Sequence, residues 1–154
     1  MRPRLCGGLK GDNVPQPVTR WMPRSTSPPH EMVLVVDDDP ALLSALKFSL
    51  EVEGFAVRVF LSGEDLLDGP VPEAACLVID YRLPAMDGLA LVAELRLRRV
   101  NAPAILMTTN PTSAVQRQAI IAGLAIVEKP LLGNALAEAI RQAIGPPLIR
   151  RAAG

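Results

Sequence analysis

The chain has 154 residues, one domain's worth, and its 49% apolar content is enough to fill a core. Sixteen Lys and Arg balance sixteen Asp and Glu, and aromatic residues are only 3% of the total. Neutrality removes the usual electrostatic basis for binding nucleic acid or an anionic membrane, and the scarcity of rings removes a stacking surface. The longest apolar run, 119–127, is broken by Gly123 and falls well short of the roughly 18 residues of a membrane span. Arg2 and Arg4 precede a stretch too short and glycine-rich for a signal peptide. The expectation is a soluble, cytoplasmic protein. Cys6 and Cys76 are too far apart to pair as metal ligands; Cys76 reads as a core thiol and Cys6 as incidental.

Residues 1–31 hold six of the fifteen prolines, no periodic apolar pattern, and five basic residues against two acidic. Such a segment cannot bury enough apolar surface to offset its chain entropy, so a disordered leader is expected. Met22 and Met32 are points at which a shorter product can begin, and His30 reads as a solvated linker residue. Residues 32–36 form an apolar run, read as a buried strand. Helix 40–53 follows, with Leu42, Leu43, Leu46 and Leu50 at helical spacing, Asp39 as cap, Pro40 at the first position and Gly54 as stop. Strand 55–60 leads to a short helix capped by Ser62, with Asp65 at box-like spacing. Then come strand 75–79, helix 89–97, strand 104–107, helix 113–122 ended by Gly123, strand 124–127 and helix 134–144. Five buried-looking strands alternating with five helices predict an α/β fold: a five-stranded, doubly wound parallel sheet with right-handed crossovers, over residues 32–144. Residues 145–154 read as a short flexible tail.

Sites in such sheets lie beyond the carboxyl ends of the strands. There the sequence places Asp37-Asp38-Asp39, then Asp80, then Thr108-Thr109, then Glu128-Lys129-Pro130. Asp39 is accounted for as a helix cap. Asp37, Asp38 and Asp80 would repel one another, which a hard dication such as Mg²⁺ relieves. Lys129 is suited to meet a phosphate as a point charge, and Thr108 to donate a hydroxyl hydrogen bond.

The stretches 33–40, 77–88, 105–108 and 128–131 resemble the receiver domain of two-component response regulators, the CheY-like fold, and in detail its FixJ-type branch. That resemblance implies that Asp80 is the phosphoacceptor, attacking a phosphohistidine on a sensor histidine kinase or phosphotransfer protein. It implies that Asp37, Asp38, Asp80 and the Arg82 backbone carbonyl hold Mg²⁺, with Asp37 acting mainly through water. Thr108 and Lys129 would draw toward the new phosphoryl oxygens and shift the face formed by helix 113–122, strand 124–127 and helix 134–144. That face would then serve a partner or a homodimer. No enzymatic activity beyond its own phosphorylation is implied, and the ten residues after the last helix are too few for a helix-turn-helix output domain.

Four departures from the family pattern stand out. Ile126 occupies a position that is often aromatic, and Thr109 one that is usually smaller. Arg82 and Asn110 flank the pocket where side chains tune phosphate lifetime. On helix 113–122, Ile120 and Ile121 cannot both face inward with Val115, Ala119 and Ala122, and Ile121 is expected outside. Thr109 and Ile126 keep open a phosphorylation-independent interaction module. A haloacid dehalogenase-type aspartyl phosphotransferase matches Asp37-x-Asp39, Thr108 and Lys129, but leaves 80–88 unexplained and lacks a late acidic pair.

Overall fold

The computed structural model describes residues 30–131 and 133–145; of the expected leader 1–31 and tail 145–154, residues 1–29 and 146–154 lie outside the described residues. Ten elements alternate along the described residues: β1 (Met32–Val36), α1 (Pro40–Val52), β2 (Ala56–Phe60), α2 (Gly63–Leu67), β3 (Cys76–Asp80), α3 (Gly88–Leu97), β4 (Ala104–Thr108), α4 (Ser113–Ala122), β5 (Ala125–Glu128) and α5 (Ala135–Ile144). All strand pairs are parallel, in the order β2-β1-β3-β4-β5.

Two cores follow from the period-two alternation of side chains along each strand. Val33, Val35, Cys76, Val78, Ile105 and Met107 pack against α1 and α5. Leu34, Val36, Leu77, Ile79, Leu106 and their neighbours pack against α2, α3 and α4. Helices on both faces make the sheet doubly wound, as the alternation of elements predicts. The chain leaves β1 in one direction to β2 and in the other to β3, so the crevice where binding sites collect lies at the carboxyl ends of β1 and β3. Cys76 is fully buried, and desolvation pushes its thiol up to about 12, leaving it an inert core residue.

The caps act largely as the sequence indicates. The Asp39 carboxylate accepts from the Ala41 and Leu42 amides, and the Ser62 hydroxyl accepts from Asp65. Gly123 takes the left-handed conformation that closes α4. Two expectations need correction. The strands are not uniformly buried: β2 and β5 are sheet edges, and β5 is half covered. On α4 only Val115 and Ala119 are buried; Ala122 is exposed, and both Ile120 and Ile121 are outside, at 75% and 85%. The short helix rests on the sheet through a single i, i+4 ridge, too narrow to cover a third or fourth apolar residue.

Candidate functional site

Parallel register brings four strand ends to one edge. Val36 pairs with Ile79, Asp80 with Met107, and Thr108 with Glu128. Backbone hydrogen bonds carry the alignment past the strands: the Asp37 amide donates to the Phe60 carbonyl, Tyr81 to Met107, and Lys129 to Thr108. Asp37, Asp38 and Asp80 therefore meet, with one carboxylate oxygen from each lying within 4.8 Å of the others. Asp37 is 1% exposed and Asp80 is also buried, whereas Asp38 faces solvent.

Lys129 reaches into this cluster from the loop after β5. Its Nζ lies 2.8 Å from Asp37 Oδ2 and 3.0 Å from Asp80 Oδ1. The other Asp37 oxygen accepts from the Asp39 amide at 3.0 Å, so both oxygens of that carboxylate are engaged within the protein. Burial raises the Asp80 carboxyl above its ordinary range; the Lys129 hydrogen bond opposes this, and the nearby Asp37 and Asp38 charges add to it. For Lys129, burial alone would lower the ammonium, but hydrogen bonds to Asp37 and Asp80 outweigh it and the net shift is upward. The lysine is thus held charged between two carboxylates.

Thr108 is buried at the end of β4, and its hydroxyl faces the neighbouring Thr109 carbonyl at 3.5 Å. Arg82 lies exposed two residues beyond Asp80, in the loop that Gly88 ties back by donating to the Tyr81 carbonyl. Thr109 and Asn110 are exposed beside Thr108, and Asn110 takes a left-handed backbone, which asparagine tolerates. Ile126 is half-buried against the α4 side of the core. The Lys129–Pro130 peptide bond is cis.

Three features of the site go beyond the residues picked from the sequence. The Asp39 backbone amide orients Asp37, a local i to i+2 bond of the kind an aspartate makes with the backbone two residues on. Asp87 caps α3 by accepting from Ala90. Gly88 sits so close to Asp80 that a Cβ would lie 2.6 Å from its backbone oxygen. In the same loop Ala85 has φ +69, a conformation that favours glycine. Ala85→Gly is expected to stabilise the domain by about 1 kcal/mol, because relief of left-handed strain exceeds the entropy cost of glycine. Urea midpoints of the two proteins check this; an unchanged or lowered midpoint for Ala85→Gly refutes it.

Three carboxylates converging at one sheet edge are oxygen donors of the kind that a hard dication such as Mg²⁺ takes. A doubly wound sheet bearing that acidic cluster, a buried threonine and a bridging lysine at its carboxyl edge defines a receiver-type α/β module. The family model of the response regulator receiver domain matches residues 33–141, and the chain belongs to that family. It is 36% identical over 115 residues to the transcriptional regulatory protein FixJ of Azorhizobium caulinodans, covering 73% of this chain and 54% of that protein. It is 35% identical over 113 residues to the C4-dicarboxylate transport transcriptional regulatory protein DctD of Rhizobium meliloti, covering 72% of this chain and 25% of that one. The chain thus spans about half the length of the FixJ relatives it matches. Among solved structures, that of FixJ-N superimposes with a TM-score of 0.67 at 32% identity, over 75% of this chain and 94% of that one. A CheY-like receiver domain protein from Methanospirillum hungatei gives 0.69 at 26% identity, over 75% and 94% of the two chains.

Proposed function

We propose that Asp80 accepts a phosphoryl group from a phosphohistidine on a sensor histidine kinase or phosphotransfer protein. The observation that carries this reading is the Lys129 ammonium held between Asp37 and Asp80 at the sheet edge. An Asp80 carboxylate oxygen attacks phosphorus, the bond from phosphorus to the imidazole nitrogen breaks, and an acyl phosphate forms. Asp37, Asp38, Asp80 and the Arg82 backbone carbonyl would hold Mg²⁺, with Asp37 acting mainly through water, since both its oxygens already have partners. Bound there, the ion supplies positive charge against the phosphoryl oxygens, which phosphoryl transfer needs more than covalent help. Lys129 leaves its carboxylate partners for a phosphoryl oxygen, and Thr108 turns its hydroxyl from the Thr109 carbonyl toward another.

The mark adds about −1.5 to −2 charges at a site of fixed geometry and biases a two-state face. That face is α4–β5–α5, where Ile121 is exposed and the exposed Ile120 lines a cavity of about 360 Å³ together with Gln116, Ile126 and Glu128. It meets a partner of the phosphorylated form. The protein works in the cytoplasm and catalyses nothing beyond its own phosphorylation; no helix among the described residues is long and apolar enough to cross a membrane. A dehalogenase-type phosphotransferase is disfavoured because Asp39, which would have to serve that chemistry, spends its carboxylate capping α1.

Incubation with a small phosphodonor and Mg²⁺, followed by intact-mass measurement, tests the assignment. The expected result is one added phosphoryl group, lost in Asp80→Asn and lost when the metal is chelated. No adduct from small donors or from a histidine kinase would overturn it and favour an interaction module that works without phosphorylation.

A further inference from the structure

An aspartate followed by glycine can close on itself, because glycine has no side chain to screen its backbone nitrogen. The chain holds two such pairs, Asp68-Gly69 and Asp87-Gly88, and no Asn-Gly. By local sequence the two are alike; the fold treats them oppositely.

Asp87-Gly88 is locked. The Asp87 carboxylate accepts from the Ala90 amide at 2.8 Å, capping α3. The Gly88 amide, whose nitrogen would have to attack, donates to the Tyr81 carbonyl at 2.8 Å. Gly88 is also buried, so near the Asp80 carbonyl that not even a Cβ fits. Closure there would break two hydrogen bonds and turn a backbone that has no room to turn.

Asp68-Gly69 has none of these restraints. It directly follows α2, in the connection to the amino end of β3, whereas the acidic cluster lies at the carboxyl ends of the strands. Asp68, Gly69 and Pro70 are all exposed. Among the described residues, neither the Asp68 carboxylate nor the Gly69 amide has a hydrogen-bond partner. Gly69 takes φ +105, and a Cβ placed on it would meet nothing within 4 Å, so open space surrounds the reacting atoms.

We infer that Asp68-Gly69 is a site of spontaneous isoaspartate formation, and hence a substrate for a repair methyltransferase that recognises isoaspartyl residues. The Gly69 nitrogen attacks the Asp68 side-chain carboxyl carbon. The carbon–hydroxyl bond breaks, and the hydroxyl leaves as water with the amide proton, giving a five-membered succinimide. Water then opens the ring at either carbonyl. Cleavage at the former side-chain carbonyl restores aspartate; cleavage at the former backbone carbonyl leaves a main chain one carbon longer. The lengthened link begins one residue past Leu67, whose carbonyl accepts from Arg98 at 2.9 Å and so ties α2 to the end of α3. Methylation of the freed backbone carboxylate lets the ring re-form with loss of methanol, which returns part of the chain to aspartate.

The full chain, aged either folded or in urea, is cut with trypsin, and its peptides are labelled by an isoaspartyl methyltransferase with a radioactive methyl donor. The two pairs fall in separate peptides, 59–82 and 83–96. From the folded protein, label in 59–82 is expected to exceed that in 83–96 by at least about tenfold, since two hydrogen bonds protect the second pair. After ageing in urea the two should converge. Asp68→Glu, at an exposed position without partners, should remove the label from 59–82 and leave the thermal midpoint unchanged, because the larger ring closes far more slowly. Asp68→Asn should lose ammonia through the same ring, read as the mass gain from amide to acid. Equal label in the two peptides of the folded chain overturns the inference. So does a folded chain with no label in 59–82, or label there that persists in Asp68→Glu.

Discussion

Gly88→Ala is expected to destabilise the domain by about 3 kcal/mol, lowering its thermal midpoint by roughly 10 to 20 °C. The reason is positional and owes nothing to backbone freedom. An added Cβ would stand 2.6 Å from the Asp80 carbonyl oxygen, 2.9 Å from Leu106 Cδ1 and 3.1 Å from Ile79 Cγ2. The first contact is with backbone, which cannot swing aside, and it belongs to the residue whose carboxylate anchors the site. Relief requires α3 to withdraw from β3, which opens the core around Leu91, Val92 and Leu95. Gly63 provides the contrast. Its Cβ would meet the Met86 sulfur at 3.2 Å and the Leu91 methyls at 3.3 and 3.4 Å, ends of flexible side chains that can give way. Gly63→Ala should cost on the order of 1 kcal/mol. Thermal or urea melts of both variants decide the matter; equal midpoints for Gly88→Ala and Gly63→Ala would remove the steric account.

Gly88 also marks where sequence reasoning thins out. Strand ends, caps and the acidic cluster are legible because their signals are local: apolar runs of strand length, Asp39 before Pro40, an aspartate at the end of two strands. The helices are legible where buried residues repeat strongly, as Leu43, Leu46 and Leu50 do on α1. What local pattern cannot carry is which strand becomes an edge. That depends on the order β2-β1-β3-β4-β5, so local pattern alone makes β5 look as buried as β3. The narrow contact of α4 fails for a related reason. Whether Ala122 or Ile120 is covered depends on how far the sheet extends beneath the helix, and it ends at β5. In the site itself, residue types are readable, whereas the double engagement of Asp37 by Asp39 and Lys129 is a matter of distance.

Lys129→Ala is expected to cost about 3 kcal/mol near neutral pH, through the carboxylates it leaves behind more than through lost contacts of its own. Asp37 is almost wholly buried and Asp80 nearly so, and their common counter-charge is this ammonium. The pH dependence follows from Asp80. Its folded-state carboxyl is raised by burial, against the opposing Lys129 hydrogen bond, so the folded chain keeps that proton to a higher pH than the unfolded chain does. Asp80 therefore favours folding fully below the unfolded value of about 3.9, and this contribution is lost as pH rises through the folded value. Removing Lys129 takes away the hydrogen bond and charge that restrain the rise, so the window widens upward. The penalty of Lys129→Ala should accordingly be small in acid, where the carboxyl is neutral, and reach its full size once Asp80 ionises. Two further arms follow from the same charges. Asp80→Asn alone should stabilise the domain modestly at neutral pH, and in combination with Lys129→Ala it should recover part of the loss, a non-additivity typical of groups in contact. Added Mg²⁺ should raise the midpoint of Lys129→Ala more than that of the parent, because binding to the folded state then relieves carboxylates that have no other cation. Urea melts of the four proteins of this cycle, in acid and at neutral pH, with and without Mg²⁺, measure all of these terms. A Lys129→Ala penalty equal in acid and at neutral pH, and unmoved by Asp80→Asn, would mean that the lysine acts through its aliphatic stem and not through its charge.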